Sequence, residues 1–197
     1  MICVVDSGSG NLRSLCNGLR AAGLAPRVVL EPPARAPEVL VLPGVGAFGH
    51  AAAALEARGW REAIPAFLEA GTRLVGICLG MQLLFESSEE SPGTRGLGLL
   101  RGTVRRLDAS RAKVPHIGWE RLRFEAGKEG ALPWAYFVHS FVVVPGDLRV
   151  VKVWAAHGGR EFPAAVRSEN VAGVQFHPEK SQGPGLAYLA ALVGGAW

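Results

Sequence analysis

The sequence predicts an α/β protein built on an open, doubly wound, mostly parallel sheet with antiparallel additions in its C-terminal half. Three observations lead there. Over the first 90 residues, short apolar runs alternate with stretches of helical periodicity, the rhythm of parallel strands joined by right-handed crossovers. From residue 102 on, the segments turn short and strand-like and are separated by Gly, Pro and Asp, which suits antiparallel pairing. No internal repeat or low-complexity linker divides the 197 residues, so one domain spanning 1–197 is expected.

The elements follow in order. Residues 2–5, Ile-Cys-Val-Val, form a first strand that ends in the turn-prone Asp6-Ser7-Gly8-Ser9-Gly10. Asn11 opens a helix with Leu12, Leu15, Cys16 and Leu19 on one face, closed by Gly23. Residues 26–30 and 38–42 read as the second and third strands. The Ala-rich stretch 51–70 reads as two helices, interrupted near Gly59 and restarted at Trp60. Residues 73–77 make a fourth strand, and a helix over 79–86 begins at once. Further strands are expected at 102–107, 119–124, 135–139, 141–144, 150–154, 164–168 and 171–176, and a helix over 185–193 closes the chain.

Composition narrows the function classes. With 49% hydrophobic and 19% charged residues, the chain has the profile of an ordinary globular protein. Its formal charge of +4 is spread along the sequence in nothing longer than pairs such as Arg105-Arg106, so no nucleic-acid-binding stripe is expected. The apolar stretches break well short of the ~20 residues that a membrane-spanning helix needs. The chain opens directly on a strand, without the basic and long apolar segments of a signal peptide. A soluble, cytoplasmic protein is expected. Cys3, Cys16 and Cys78 cannot all pair, and neither a CxxC spacing nor an HExxH occurs, so neither a metal nor a cofactor is expected.

The most informative segment is Leu74-Val75-Gly76-Ile77-Cys78-Leu79-Gly80-Met81-Gln82: a strand, then G-x-C-x-G, then a helix. A nucleophile on a sharp strand-to-helix turn needs small residues two positions to either side, because the backbone there is crowded. The start of a helix favours a thiolate at Cys78, and the Leu79 N–H would point at the same spot to receive an oxyanion. Taken alone, the motif describes a buried cysteine in a core turn equally well. A base must come from elsewhere in the chain, and Phe176-His177-Pro178-Glu179 offers one. The strand over 171–176 would bring His177 to the sheet edge where Cys78 lies. Pro178 would hold the chain extended, so that Glu179 falls on the same side as His177 and fixes its tautomer. A lone histidine after a strand is ordinarily a polar strand end; its pairing with an elbow cysteine favours a Cys–His–Glu triad.

These two motifs together resemble the class I, triad-type glutamine amidotransferases. Five further segments carry the resemblance across nearly the whole chain, in the family's order: residues 6–12, Leu42-Pro43-Gly44-Val45-Gly46-Ala47-Phe48, residues 83–86, Pro115-His116-Ile117-Gly118-Trp119 and Tyr136-Phe137-Val138-His139-Ser140. Lys180-Ser181 extends the histidine motif. They narrow it to the glutaminase subunits of imidazole glycerol phosphate synthase. The resemblance implies a flavodoxin-like glutaminase fold and hydrolysis of glutamine. It also implies a heterodimer with a cyclase subunit, which takes the ammonia to form imidazole glycerol phosphate and AICAR in histidine biosynthesis.

The resemblance also assigns residues. Cys78 is the nucleophile, His177 the acid and base, and Glu179 orients the base. Val45 or Gly46 completes an oxyanion hole with Leu79; beyond the resemblance, a peptide flip near Val45 is expected to gate activity, with partner docking favouring the open form. Gln82 and Glu90 bind substrate, Ser140 and Phe141 contribute backbone, and Asn11, Trp119, Tyr136 and Lys180 face the partner. Read without it, the 43–49 loop is a tight turn, Gln82 either reaches the site from one turn beyond Cys78 or is an exposed helix residue, Glu90 is solvated charge, and Trp119 and Tyr136 are core aromatics. Three positions depart from the family's pattern: Ser7 stands for an aromatic residue, Glu120 for Asn and Phe141 for Tyr. These departures bear on partner contacts and substrate details and leave the triad untouched. A glutaminase subunit serving anthranilate or pyridoxal phosphate synthesis fits the 43–46 loop and the 116–119 segment less well. A flavodoxin-like redox or stress protein, or an inactive scaffold, leaves His177-Pro178-Glu179 unexplained.

Overall fold

The computed structural model describes residues 1–8, 11–124 and 132–195; Ser9 and Gly10 of the first turn lie outside the described residues. Strand β1 (Ile2–Val5) leads to helix α1 (Leu12–Ala21), whose N-cap Asn11 accepts a hydrogen bond from the Ser14 N–H at 3.1 Å. Strands β2 (Pro26–Val29) and β3 (Val39–Leu42) follow. The Ala-rich stretch forms two helices, α2 (Phe48–Ala57) and α3 (Trp60–Glu69). Gly59 between them takes the left-handed φ of 73°, a conformation open to a residue without a Cβ.

Strand β4 (Arg73–Ile77) runs through Cys78 into α4 (Leu79–Leu83). This helix ends three residues short of the expected Glu86. Its would-be continuation is intercepted by the 96–100 loop: the N–H groups of Leu97, Leu100, Gly98 and Gly96 donate to the carbonyls of Leu83, Leu84, Phe85 and Glu86 at 2.8–3.2 Å. Carbonyls engaged by another segment cannot carry the helical ladder forward. The short β5 (Ser87–Ser88) comes next.

In the second half lie β6 (Gly102–Arg106), β7 (His116–Arg121), β8 (Arg123–Phe124), β9 (Trp134–His139) and β10 (Phe141–Pro145). They are followed by β11 (Val151–His157), β12 (Arg160–Ser168), β13 (Val171–Val174) and α5 (Gln182–Gly194). The single strand expected over 119–124 is therefore two. It breaks at buried Leu122, whose N–H turns to the Pro133 carbonyl at 2.8 Å, and its two pieces join different sheets.

The main sheet runs β2-β1-β3-β4-β13-β12-β11-β8. Its first five strands pair in parallel and its last three antiparallel. Alternate residues of the parallel strands feed two cores. Val4, Val41, Val75 and Ile77 pack on one face with α1 and α5 residues such as Leu15, Leu19 and Leu189. Cys3, Val5, Leu40 and Leu74 pack on the other with Phe48, Trp60 and Ile64 of α2 and α3. Helices on both faces of a largely parallel sheet make the doubly wound architecture that the sequence predicts. Strands β10-β6-β5 form a second small sheet, and β7 and β9 an antiparallel ribbon. Among the described residues no helix is long and apolar enough to cross a membrane.

The site follows from one pairing. β4 and β13 are parallel neighbours with Ile77 opposite Val174, so whatever follows either strand emerges at the same edge. Cys78 comes one residue after β4, its N–H bonded to the Val174 carbonyl at 2.7 Å, and His177 comes three residues after β13.

Candidate active site

Cys78 sits at φ 53° and ψ −110°, a left-handed backbone that non-glycine residues adopt at a cost of about 1–3 kcal/mol. The flanking glycines make the turn sterically feasible. A Cβ on Gly76 would stand 2.6 Å from the Gly80 carbonyl oxygen, and one on Gly80 would overlap the Leu42 carbonyl oxygen. The turn leaves the thiol 5% exposed at the floor of a cavity.

His177 and Glu179 are both 3% exposed, with Nδ1 of the ring 2.8 Å from Oε1 of the carboxylate. The backbone differs from the extended His177-Pro178-Glu179 that the sequence suggests. Residues Pro178–Lys180 form a 3₁₀ turn with Pro178 at its first position, where a residue without an N–H and with fixed φ fits. The turn, rather than strand alternation, swings Glu179 back beneath the ring. The ring's backbone is held by its N–H on the Tyr136 carbonyl (2.9 Å) and by the Ser181 hydroxyl on its own carbonyl (2.7 Å). Glu179 Oε2 is buried without a hydrogen-bond partner among the described residues, while Oε1 is engaged by His177.

Burial alone would lower the pKa of His177. Hydrogen bonding and charge at Cys78 and Glu179 outweigh it and push the value up to about 10, so the imidazolium is the resting form at neutral pH. The folded-state value lies above the ordinary ~6.5, so the stability this charge contributes is complete below that pH and is lost as pH climbs through about 10. Glu179→Gln is therefore expected to lower the unfolding temperature at neutral pH, with the deficit narrowing as pH rises toward 10. Thermal unfolding across that range checks it, and a deficit independent of pH would separate Glu179 from the charge on His177.

The cavity beside Cys78 has a volume of about 280 Å³, at the small end for small-molecule sites. It is lined by Cys78 and by every residue that the resemblance assigns to the oxyanion loop and the substrate. Gln82 is 4% exposed, not on a solvent face: its Nε2 donates to the Phe141 carbonyl (3.0 Å) and to Gln175 Oε1 (3.1 Å). Glu90 is half-buried, and its carboxylate accepts the Phe48 N–H at 2.7 Å, capping α2, which has no side-chain cap of its own. Ser140 and Phe141 form the opposite wall. The Leu79 N–H, expected to face an oxyanion, donates instead to the Gly44 carbonyl at 3.3 Å.

None of the expected partner-facing residues lines this cavity. Trp119 is 43% exposed, which overturns its reading as a core aromatic. It stands opposite Tyr136 on the outer face of the β7–β9 ribbon, the rings edge-on at 6.0 Å. Ile117 and Trp134 add exposed apolar surface to that face. The Lys180 ammonium lies 6.0 Å from the Tyr136 ring centroid, and Asn11 lines a narrow crevice that reaches His177 and Glu179.

Two further residues shape the site without having been singled out. Gln175 is fully buried and donates from Nε2 to Cys78 Sγ at 3.5 Å. Gly18 on α1 lets Glu179 approach, since a Cβ there would stand 2.9 Å from Glu179 Cβ. A polar amide inside an apolar strand was the available signal for Gln175, because buried amides require partners; Gly18 left none.

Comparison with known proteins gives the family. Residues 3–193 match the family model described as glutamine amidotransferase class-I. The chain belongs to the class-I glutamine amidotransferases. Among curated members, it is 43% identical to the imidazole glycerol phosphate synthase subunit HisH of Nostoc punctiforme, over 98% of this chain and 95% of that one. It is 46% identical to the HisH of Aquifex aeolicus, over 94% and 92% of the two chains. The fold of this amidotransferase also matches solved structures at 24% identity. A glutamine amidotransferase crystal structure aligns with TM-score 0.75 over 98% of this chain and all of the other. The structure of PurLQS from Thermotoga maritima aligns with TM-score 0.73 over 97% and 96%.

Proposed function

We propose that this chain hydrolyses glutamine and hands the ammonia to a cyclase subunit, with which it forms imidazole glycerol phosphate synthase in histidine biosynthesis. The observation that carries the chemistry is the buried His177–Glu179 pair interacting with Cys78, whose thiol lines a pocket of small-molecule size. Cys78 Sγ attacks the side-chain amide carbon of glutamine, and the tetrahedral oxyanion collapses to a glutamyl thioester. His177 supplies the proton with which the nitrogen departs as ammonia. The same ring then takes a proton from water, the hydroxide attacks the thioester, and glutamate leaves with Cys78 restored. Glu179 holds the ring's tautomer and its charge.

The closed Leu79 N–H supports a gate. Turning over the Gly44–Val45 peptide would withdraw the Gly44 carbonyl from Leu79 and present the Val45 N–H to the same point, so two donors would meet the oxyanion. The exposed Trp119 and Trp134, with Tyr136, Lys180 and Asn11 beside the rear of the triad, support docking of the cyclase subunit there. Three free, buried cysteines suit a reducing, cytoplasmic compartment. Glutamate release tests the reading, measured on this chain alone and then with the cyclase subunit and its ribonucleotide ligand. A rise of about 100-fold or more on adding both is expected, the scale of one oxyanion donor. Equal release with and without the partner removes the gate, and no release in any combination removes the glutaminase.

A further inference from the structure

His116, His139 and His157 meet with Glu120 beneath the β7–β9 ribbon, on the face opposite Trp119. A carbonyl oxygen only accepts hydrogen bonds, which settles where the ring protons lie. His157 Nε2 is 2.9 Å from the Lys113 carbonyl oxygen and donates to it. His139 Nδ1 is 3.0 Å from the Phe141 carbonyl oxygen and donates to it, so its Nε2 accepts from His116 Nδ1 at 3.1 Å. Three potential ligand atoms converge here: His116 Nε2, His157 Nδ1 and Glu120 Oε1. Oε1 is 3.3 Å from the first and 3.9 Å from the second, and all three atoms lie within 4.8 Å of one another. His116 Nε2 is buried without a hydrogen-bond partner among the described residues. Converging acceptors of this kind repel unless a cation joins them.

We propose that His116, Glu120 and His157 form a binding site for a divalent transition-metal ion of the zinc type. Two imidazoles and a carboxylate are a donor set for zinc and its neighbours, whereas magnesium and calcium prefer all-oxygen sites. Ligand bonds of about 2.0–2.1 Å in a tetrahedron set neighbouring donors about 3.3 Å apart, the separation already present between His116 and Glu120. The N–H that each histidine turns away from the ion is already fixed, on the Lys113 carbonyl and on His139, as metal-ligating histidines require. The rings of His116 and His157 stack 4.1 Å apart at 27°, so binding tilts the partly exposed His157 ring away from the fixed His116. None of the three ligands lines the glutamine pocket. The ion instead braces its wall, because the chain from His116 through His139 ends on the Phe141 carbonyl that also holds Gln82.

The test titrates the chelator-treated full chain with Co²⁺, as a spectroscopic probe, and with Zn²⁺. One equivalent should bind, giving visible cobalt bands without the intense near-ultraviolet band of a thiolate ligand, and binding should persist in Cys78→Ala. Glu120→Gln and His157→Phe, the latter retaining the ring stack, should each raise Kd at least about 100-fold, more than loss of an outer partner does. At Zn²⁺ near 100 times the Kd of the unsubstituted chain, the unfolding temperature should rise by about 5–10 °C in that chain and by no more than about 2 °C in either variant. Absence of uptake, uptake lost in Cys78→Ala, or uptake indifferent to both ligand variants overturns the site.

Discussion

Cys78→Ala is expected to lower glutamate release by about 10⁴-fold or more while leaving the fold and its unfolding temperature nearly unchanged. The sulfur is the only thiol lining the cavity, since Cys3 and Cys16 are packed in the two cores, where burial pushes their pKa values up. Removing it leaves His177 and Glu179 in place, but a base without a nucleophile forms no thioester. Alanine keeps the Cβ and the same backbone angles, so the strain at φ 53° is unaltered, and what is lost is the sulfur's contacts with Gln175, the Val138 carbonyl and His177. The check combines glutamate release with labelling by a glutamine-analogue electrophile. One equivalent should attach to the unsubstituted chain and none to the variant. Release persisting at more than a few per cent in Cys78→Ala would remove the sulfur from the chemistry. Equal labelling of both proteins would place the electrophile on another group.

The parts of the site readable in the sequence are those encoded by neighbours along the chain. Gly76, Cys78 and Gly80 announce a crowded strand-to-helix turn, because Gly76 meets backbone four residues on, at Gly80, and Gly80 meets the end of the neighbouring strand at Leu42. The parallel pairing of β4 with β13 then brings His177 to the same edge, as strand alternation suggests. What stayed hidden depends on segments distant in sequence. The end of α4 is set by carbonyls captured by the 96–100 loop, and Glu90 reads as solvated charge until its carboxylate meets the α2 N-terminus. Trp119 looks like a core residue because a strand of a main sheet would bury it; in a two-stranded ribbon only the inner face is covered. That inner face gathers His116, Glu120 and His157. The first two share a side of β7 at even spacing, but His157 arrives from β11, and no motif of fixed spacing records the meeting. A sequence without zinc-finger or HExxH spacing therefore gives the expectation of no metal, and only tertiary pairing gives reason to revise it.

Gly80→Ala is expected to have the largest effect on stability, lowering it by about 3–5 kcal/mol and the unfolding temperature by roughly 10 °C or more. The added Cβ would overlap the Leu42 carbonyl oxygen at the end of β3, far inside the 3.0 Å that real Cβ atoms essentially never breach. No side chain is available to swing aside, because the obstructing atoms are the backbone of Leu42 and Pro43, and Gly80 itself follows the turn of Cys78, whose N–H is tied to Val174. Either β3 or the first turn of α4 must move. Both movements reach the chemistry, since β3 leads directly into the Gly44 carbonyl that meets the Leu79 N–H, and α4 carries Leu79 itself. Activity measured well below the unfolding temperature should therefore fall along with stability. Gly194→Ala provides the contrast: nothing lies within 4 Å of a Cβ in the last turn of α5, and the lower backbone entropy of the unfolded chain should stabilise by about 0.5–1 kcal/mol. Thermal unfolding of the two variants, with glutamate release at a common temperature, checks both. A Gly80→Ala protein as stable and as active as Gly194→Ala would mean that β3 and α4 are not in contact at this turn, and the packing that presents Cys78 would have to be redrawn.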